Sequence, residues 1–164
     1  EFLKEAKRRY PPAFKAKKIL ECGSYDINGS PRGMFPARSE YIGIDHRAGP
    51  GVDEVALAHS YRSRPDGYFE TVISTEMLEH DPYWAWSLAR MAELVAPGGY
   101  LILTTAGPAR KPHEIYCAPL EGYYRNLTLG EIISSVMACC EFGIIWAEMR
   151  RGDQDLCCLF GDKR

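Results

Sequence analysis

The apolar residues of this chain form short runs that alternate with segments of helical periodicity. Short apolar runs bounded by Gly, Pro, Asn or Asp are typical of buried strands. One such run begins at Lys18 and leads into the polar stretch from Gly23 to Ser30. The other predicted strands are residues 41–45, 52–55, 69–75, 100–105, 142–149 and 155–160. Strands therefore recur along most of the chain, and the last two follow each other directly.

Helical spacing of apolar residues appears in three segments between these strands. Residues 1–14 carry apolar side chains on one side and end at a proline pair. Residues 83–95 repeat apolar positions at helical spacing, and the Pro-Gly-Gly at 97–99 is expected to end that helix. Thr128 and Glu131 have the spacing of a capping box that opens a third helix. Alternating strands and helices followed by a terminal strand pair predict an α/β sheet with helices on both faces.

Acidic residues stand where three of the predicted strands end. Glu21 closes the first strand, Asp45 the second, and Glu76 follows the fourth. In open α/β sheets ligands bind beyond the carboxyl ends of the strands, so we expect these carboxylates to share one edge. Gly23 lets the backbone come close to a partner without a Cβ in the way. Ser30, followed by proline, has the pattern of an N-cap, which would turn free backbone N–H groups toward a ligand.

Composition and charge narrow the classes of partner. With 164 residues, 46% of them apolar, the chain suits one globular domain spanning residues 1–164. The net charge of −2 gives no electrostatic reason to expect nucleic acid or a membrane as partner. No apolar stretch approaches the roughly 18 residues of a membrane span, and no signal-peptide pattern opens the chain. The six cysteines lack zinc-type spacing, and because no secretory signal is seen we expect reduced thiols and a cytoplasmic protein.

The stretch KILECGSYDINGS, residues 18–30, is the first specific motif. It departs from the dinucleotide-binding fingerprint, because Gly23 and Gly29 are separated by five residues. It resembles instead the first motif of class I S-adenosylmethionine-dependent methyltransferases, an acidic residue followed by x-Gly-x-Gly-x-Gly. Tyr25 stands in place of the middle glycine, which is a departure from that pattern.

Further motifs of the same superfamily follow in order, and the resemblance covers residues 18–105. YIGID, ending at Asp45, is similar to the second motif, and GVDEVALAHS to the segment where the adenine lies. Leu57 stands there in place of the usual aspartate. PDGYFETVISTEMLEH resembles the fourth-strand motif and APGGYLILTT the fifth-strand motif. GYYRNLTLGEI is similar to a segment of the Methyltransf_11-like group.

This resemblance implies a Rossmann-like methyltransferase fold with a mostly parallel seven-stranded sheet, helices on both faces and a C-terminal antiparallel strand pair. It also implies S-adenosylmethionine as methyl donor and S-adenosylhomocysteine as product. The carboxylate of Asp45 would accept from both ribose hydroxyls. His59 is either an adenine neighbour or a surface histidine. The residues that the resemblance assigns to cofactor binding are Glu21, Gly23, Ser24, Tyr25, Gly29, Asp45, His46, Leu57, Ala58, His59, Thr75, Glu76 and Met77.

Two histidines are candidates for a general base, because histidine titrates near physiological pH. His80 follows the fourth strand at a position that commonly borders the cofactor in this superfamily, although a capping or packing role there is the favoured alternative. His113 lies in the loop after the fifth strand, where Tyr116 and the Tyr123–Arg125 segment would extend the wall of an acceptor site. A base is needed only if the acceptor is protonated at neutral pH.

Several functions remain open from the sequence. We expect a methyltransferase that acts on a small molecule. The second enzymatic hypothesis is a methyltransferase that acts on a protein. A regulator or partner subunit that binds the cofactor without turnover is the alternative from a different class, and Tyr25 and Leu57 favour it. An NAD-binding oxidoreductase is the less favoured alternative. The acceptor, the atom that is methylated and the oligomeric state stay open.

Overall fold

A computed structural model describes residues 1–113 and 122–164 of the chain. Its strands are β1 Lys18–Cys22, β2 Glu40–Asp45, β3 Glu54–Val55, β4 Phe69–Thr75, β5 Val95–Ala106, β6 Phe142–Arg150 and β7 Asp155–Lys163. They form one seven-stranded sheet in the order β3-β2-β1-β4-β5-β7-β6. The strands from β3 to β5 in that order are parallel, whereas β7 runs antiparallel to both β5 and β6. This confirms the predicted sheet and its terminal antiparallel pair.

The strand order reverses direction between β1 and β4. From β1 the chain builds outward through β2 and β3, then returns to place β4 on the other side of β1. Leu20 in the middle of β1 pairs with Ile42 of β2 and with Val72 of β4. The carboxyl ends of β1, β2 and β4 therefore meet at one point on the sheet edge, and such a reversal opens a crevice for a ligand.

Helices cover both faces of the sheet. The α-helices are α1 Phe2–Arg9, α2 Trp84–Leu94 and α3 Leu129–Met137. Successive strand residues point to opposite faces, so Ile19 packs with the apolar group that contains Phe2 and Phe14, while Leu20 joins the group that contains Leu88. Four short 3-10 helices complete the described part, at Pro11–Phe14, Pro31–Met34, Ala58–Ser60 and Leu78–His80. The predicted helices on both faces are confirmed.

Local sequence signals determine several of these boundaries. The Ser30 side chain accepts from the Arg32 N–H at 3.1 Å, as expected for an N-cap. Thr128 and Glu131 form both bonds of the capping box that opens α3. Among the described residues no helix has both the length and the apolar character needed to cross a membrane.

The end of α2 differs from the sequence-based expectation. The helix ends at Leu94, before the Pro-Gly-Gly, and Val95 already pairs with Phe69 as the first residue of β5. The ammonium group of Lys163 caps this end, because it donates to the carbonyl oxygens of Ala92, Glu93 and Val95 at 2.7–2.9 Å. A cation placed there also interacts favourably with the helix dipole.

Candidate functional site

A cavity of about 210 Å³ lies at the carboxyl ends of β1, β2 and β4, at the reversal of strand order. All the residues that the sequence assigned to the cofactor line it except His59, and His80 lines it as well. The loops after the three strands thus bring together residues that are up to 60 positions apart, from Glu21 to Asp81. His113 does not line this cavity, and its side chain is exposed. Tyr116 lies outside the described residues.

The turn after β1 is held by β2 and by Met77. The N–H groups of Gly23 and Ser24 both donate to the carbonyl oxygen of Ile44, at 2.9 and 3.0 Å. Gly23 has a φ of +79°, and a Cβ at this position would lie 2.6 Å from the Met77 side chain. Glycine is therefore required here on two counts, the left-handed backbone and the close approach. The Ser24 hydroxyl is buried and has no partner among the described residues.

Asp45 is the carboxylate at the centre of the cavity wall. Its side chain is 9% exposed, and its Oδ2 accepts from the Tyr25 N–H at 3.3 Å. Its Oδ1 lies 2.8 Å from His46 Nδ1 and accepts from the backbone N–H of Arg47 at 3.4 Å. The two backbone bonds are longer than usual, so lone pairs of the carboxylate remain available to hydroxyl donors of a ligand.

Tyr25 stands at the position of the middle glycine of the first motif. Its side chain turns away from the space that a glycine would leave open there. Its ring packs under the Arg47 guanidinium, 4.3 Å from it. On its other side it lies against Gly49, where a Cβ would come within 2.0 Å of the ring. The tyrosine therefore contributes its backbone N–H to the Asp45 carboxylate while its ring covers the loop after β2. Its presence does not close the cavity, of which it forms part of the wall.

Glu21 is a second buried carboxyl group of the cavity. It is 2% exposed, and it accepts from the hydroxyls of Tyr41 at 2.9 Å and Ser30 at 3.2 Å. Burial raises the pKa of Glu21 to about 7, although both hydrogen bonds act in the opposite direction. Its position ties the end of β1 to the start of the 3-10 helix at Pro31–Met34.

The end of the cavity near β3 is apolar. Leu57 lines it with a side chain that is 38% exposed, and Ala58 is buried beside it. His59 points elsewhere, since its ring packs on Tyr83 at 4.7 Å between ring centres. The sequence assignment of His59 to the cofactor thus has no counterpart in the cavity wall, because the 3-10 helix at Ala58–Ser60 rotates it away.

On the opposite side the chain after β4 makes a strained turn. Glu76 has a φ of +54°, which is uncommon for a residue with a side chain, and its N–H donates to the Thr104 carbonyl. Its carboxylate lies 2.8 Å from the Arg110 guanidinium, which also binds Asp155 at 2.8 Å. Strain of this kind concentrates at functional sites. Here it directs Glu76 from the strand end toward the loop after β5.

Behind this turn lies a group of polar side chains, which we call the His80 cluster and define as the buried Glu79 and His80, the partly buried Tyr124 and the exposed His113. The rings of the last three stand nearly edge to face, with centres 5.0–5.4 Å apart. Glu79 is fully buried and its Oε2 accepts from the Thr105 hydroxyl at 2.7 Å. Burial, reinforced by Glu76, raises the pKa of Glu79 to about 7.

His80 is an uncharged histidine at neutral pH. Its side chain is 4% exposed, and burial lowers its pKa to about 4, with His113 acting in the same direction. The Tyr123 backbone is close enough to oppose this shift slightly. Even so, within residues 1–113 and 122–164 neither ring nitrogen makes a hydrogen bond of normal geometry. A group with this pKa is a weak base at pH 7, which weakens the sequence-based prediction of His80 as general base.

The cavity also includes residues that the sequence motifs did not indicate. These are Ile27, Asn28, Ile44, Ala56 and Asp81. Asp81 had a local signal, since it follows the histidine of the fourth-strand motif. Its carboxylate accepts from the Tyr83 N–H at 2.8 Å and the Ser87 hydroxyl at 2.5 Å, which orients the first turn of α2. Within the part of the chain that is described, no group of three or more His, Cys, Asp or Glu residues is placed to hold a metal ion.

Comparisons with known proteins agree with this fold. No family model matches the chain. Over 86 residues it is 33% identical to the ubiquinone biosynthesis O-methyltransferase of Thiobacillus denitrificans, a match that covers 52% of the chain and 37% of that protein. The chain thus spans little more than a third of the curated relative it matches.

Two solved structures show how widely the fold is shared. A 1,6-didemethyltoxoflavin-N1-methyltransferase from Burkholderia thailandensis, solved with S-adenosylhomocysteine, matches 98% of the chain and 75% of its own length, with a TM-score of 0.63 and 13% identity. The [4+2]-cyclase SpnF matches 88% of the chain and 58% of its own length, with a TM-score of 0.62 and 14% identity. The fold is that of class I methyltransferases, as the sequence motifs predicted. At this level of identity the fold alone is shared.

Proposed function

We propose that this protein transfers a methyl group from S-adenosylmethionine to a small-molecule acceptor and releases S-adenosylhomocysteine. One observation carries the proposal: the Asp45 carboxylate and the Gly23–Tyr25 turn face one cavity at the reversal of strand order. The relatives support it, because one is named as an O-methyltransferase and another was solved with S-adenosylhomocysteine.

The residues of the cavity fit the proposed cofactor. Oδ2 of Asp45 accepts only the 3.3 Å bond from Tyr25 among the described residues, so it keeps acceptor capacity for a ribose hydroxyl, whereas Oδ1 already lies near His46 and Arg47. The buried Ser24 hydroxyl lacks a partner among the described residues and is available to the amino-acid portion. The apolar wall at Leu57 and Ala58 suits the adenine ring. Thr75 and Met77 line the space where the reacting centre would lie.

When bound, the cofactor supplies an electrophilic methyl group on a sulfonium, and the protein mainly has to position two reactants. The carboxylate of Asp45 orients the ribose, and the turn at Gly23 fixes the wall next to Met77. His80 and His113 remain the candidates for contact with the acceptor, with His80 at the cavity wall and the His113 ring 5.1 Å from the His80 ring, between ring centres.

The proposal includes a reducing, cytoplasmic environment. It is supported by the five cysteines in the described residues, all of which are free thiols. A protein acceptor is less well supported than a small molecule, because both named methyltransferases above carry names that refer to small-molecule chemistry.

A second function is a cofactor-binding protein without methyl transfer. The observation that favours it is the cyclase among the structural neighbours, since that name describes a different reaction on the same fold. Cofactor binding does not separate the two functions, but formation of S-adenosylhomocysteine from S-adenosylmethionine does.

A thermal melt with S-adenosylhomocysteine tests the proposal first, with NAD in parallel. At about a hundred times the dissociation constant, mass action stabilises the folded state by about 2.7 kcal/mol. For a domain of this size that corresponds to a rise in Tm of roughly 5–10 °C. A rise with S-adenosylhomocysteine and none with NAD is the expected result. No shift with S-adenosylhomocysteine in a cooperative melt, or a shift with NAD alone, would overturn the proposal.

A further inference from the structure

The two edges of the sheet differ greatly in length. One edge is β3, which consists of the two residues Glu54–Val55. The other is β6, Phe142–Arg150, whose nine residues extend over about 30 Å. Within the part of the chain that the structure describes, β6 pairs with β7 alone, so the backbone N–H and C=O groups on its outer side can bind a further strand.

The sequence of β6 lacks the features that usually prevent such pairing. Edge strands of soluble proteins are commonly protected by a proline, a bulge or a charge in the middle of the strand. From Phe142 to Ala147 the strand reads FGIIWA, with neither proline nor charge. It keeps one register with β7, from Phe142 opposite Lys163 to Arg150 opposite Asp155. Aromatic and β-branched residues also favour strands, so β6 is a regular, uncharged template for another strand.

The side chains along this edge are only partly covered. Every residue of β6 after Phe142 is partly or fully exposed, whereas residues 156–161 of the neighbouring β7 are all buried. Ile145 is 44% exposed and lies on the same face as Phe160, its partner in β7. That face also carries α3, whose Met137 is 38% exposed. A strand added at this edge would therefore cover apolar surface as well as backbone groups.

The charges of β6 favour a second copy of this chain as the added strand. Glu148 and Arg150 pair with each other, so the strand itself has no net charge. Glu141 is exposed just before the strand, and Arg151, which is 63% exposed while it pairs with Asp155, follows it. Antiparallel pairing of two β6 strands about a two-fold axis near their middle brings each acidic end beside the basic end of the other copy. Opposite charges then lie at both rims, with the apolar residues between them.

We propose that two copies of this protein associate through their β6 strands, as an antiparallel pair that joins the two sheets into one. The interaction lies beyond the methyltransferase function proposed above and does not depend on it. Pairing about a two-fold axis uses the same edge of both copies, so it closes at the dimer. The edges that remain at the two outer ends are the short β3 strands.

This arrangement leaves both cavities accessible. β5 and β7 lie between β6 and β4, the nearest strand whose end contributes to the cavity wall. At about 4.8 Å per pair of neighbouring strands, β6 is roughly 14 Å from β4. No residue of β6 lines the cavity. Association is therefore expected to leave the affinity for S-adenosylhomocysteine unchanged.

Gel filtration with light scattering tests the proposal on the whole chain over a wide range of concentrations. The wild type is expected to have the mass of two chains at high concentration. Ile145→Lys places an ammonium group in the middle of each β6 and is expected to raise the dissociation constant of the dimer roughly tenfold or more. Val55→Lys is the matched control, because it places the same charge on the other edge, at a side chain that is 61% exposed. A wild type with the mass of one chain at every concentration, or a dimer that both variants affect equally, would overturn the proposal.

Hydrogen exchange of the wild type tests the same edge without any substitution, which covers the case in which Ile145→Lys fails to fold. Amides of residues 143–149 are expected to exchange more slowly at high than at low protein concentration, whereas those of β3 should not change. Exchange at residues 143–149 that is independent of concentration would show an edge that is open or covered within the chain, and the dimer would be wrong. Failure of the same samples to bind S-adenosylhomocysteine would count against the proposed function alone.

Discussion

The N–H of Tyr25 donates to Oδ2 of Asp45 across 3.3 Å, so the loop after β1 is attached to the carboxylate that ends β2. The residue that breaks the glycine pattern of the first motif therefore makes its contact through the backbone, which any residue can supply. Its ring lies beneath Arg47 instead of inside the cavity. For this reason we expect the tyrosine to be compatible with cofactor binding.

Replacing Asp45 by Asn is expected to weaken S-adenosylhomocysteine binding by about tenfold to a hundredfold. The amide retains the size of the side chain but exchanges one acceptor oxygen for a donor, and hydrogen bonds to a charged group contribute roughly 1.5–3 kcal/mol. Calorimetric titration measures the effect. Asp153→Asn is the matched control, since Asp153 is exposed in the turn between β6 and β7. Equal affinity of the two variants would remove Asp45 from the cofactor site.

Replacing Gly23 by Ala is expected to lower both Tm and cofactor affinity. A residue with a side chain at a φ of +79° costs about 1–2 kcal/mol, and the new Cβ would lie 2.6 Å from Met77. The double variant with Met77→Ala removes the Met77 Cγ but keeps the equally close Cβ, so it should recover only part of the loss that comes from the collision. Gly33→Ala is the control, because its Cβ would meet no atom within 4 Å. If Gly23→Ala melts like this control, the turn is less constrained than its geometry implies.

The parts of the fold that can be predicted from the sequence are those that depend on residues close together along the chain. The capping box at Thr128 and Glu131 and the N-cap at Ser30 follow from local spacing and are present. The cap on α2 by Lys163 joins residues about 70 positions apart, so no local pattern indicates it. The sequence therefore places the end of α2 within one residue but gives no sign of this cap.

The candidate site likewise contains residues that the local sequence predicts and residues that it does not. The carboxylates at strand ends, Glu21 and Asp45, could be placed from strand pattern alone, because parallel strands end at a common edge. Ile27 and Asn28 depend on the path of a loop, which hydrophobic periodicity does not determine. The unpaired state of Glu79 and His80 depends on burial by other elements of the chain, and only the packed structure reveals it.

Introducing an aspartate at Leu57 is expected to strengthen S-adenosylhomocysteine binding. Related methyltransferases usually carry Asp in this segment, and Leu57 lines the cavity with a partly exposed side chain, so the carboxylate would remain hydrated. A bond to the adenine amino group should raise affinity about threefold to tenfold. Val55→Asp places the same charge two residues away, at a side chain that is 61% exposed, and should have no such effect. Weaker binding by Leu57→Asp would place the adenine elsewhere in the cavity.

The Glu79→Gln variant is expected to be more stable than the wild type, and the difference in stability should grow as the pH rises. The pKa of Glu79 is raised from 4.5 to about 7, so between these values the folded state binds more protons than the unfolded state. Stability is therefore lost as pH rises through this window, and the whole penalty, up to about 3 kcal/mol, is present above pH 7. Gln cannot ionise, so the variant escapes the penalty.

Melts of both proteins at pH 5 and pH 8 measure this effect, and the difference in Tm between variant and wild type should be larger at pH 8. His80, whose pKa is lowered to about 4, destabilises both proteins as pH falls below its ordinary value of 6.5, so its contribution cancels in the difference. Glu141→Gln removes a carboxylate at an exposed position and should differ from wild type by the same small amount at both pH values. The prediction is contradicted if the difference in Tm between Glu79→Gln and the wild type becomes smaller toward pH 8. The buried carboxylate would then be stabilised in its charged form, by partners that the ligand-free cluster does not show.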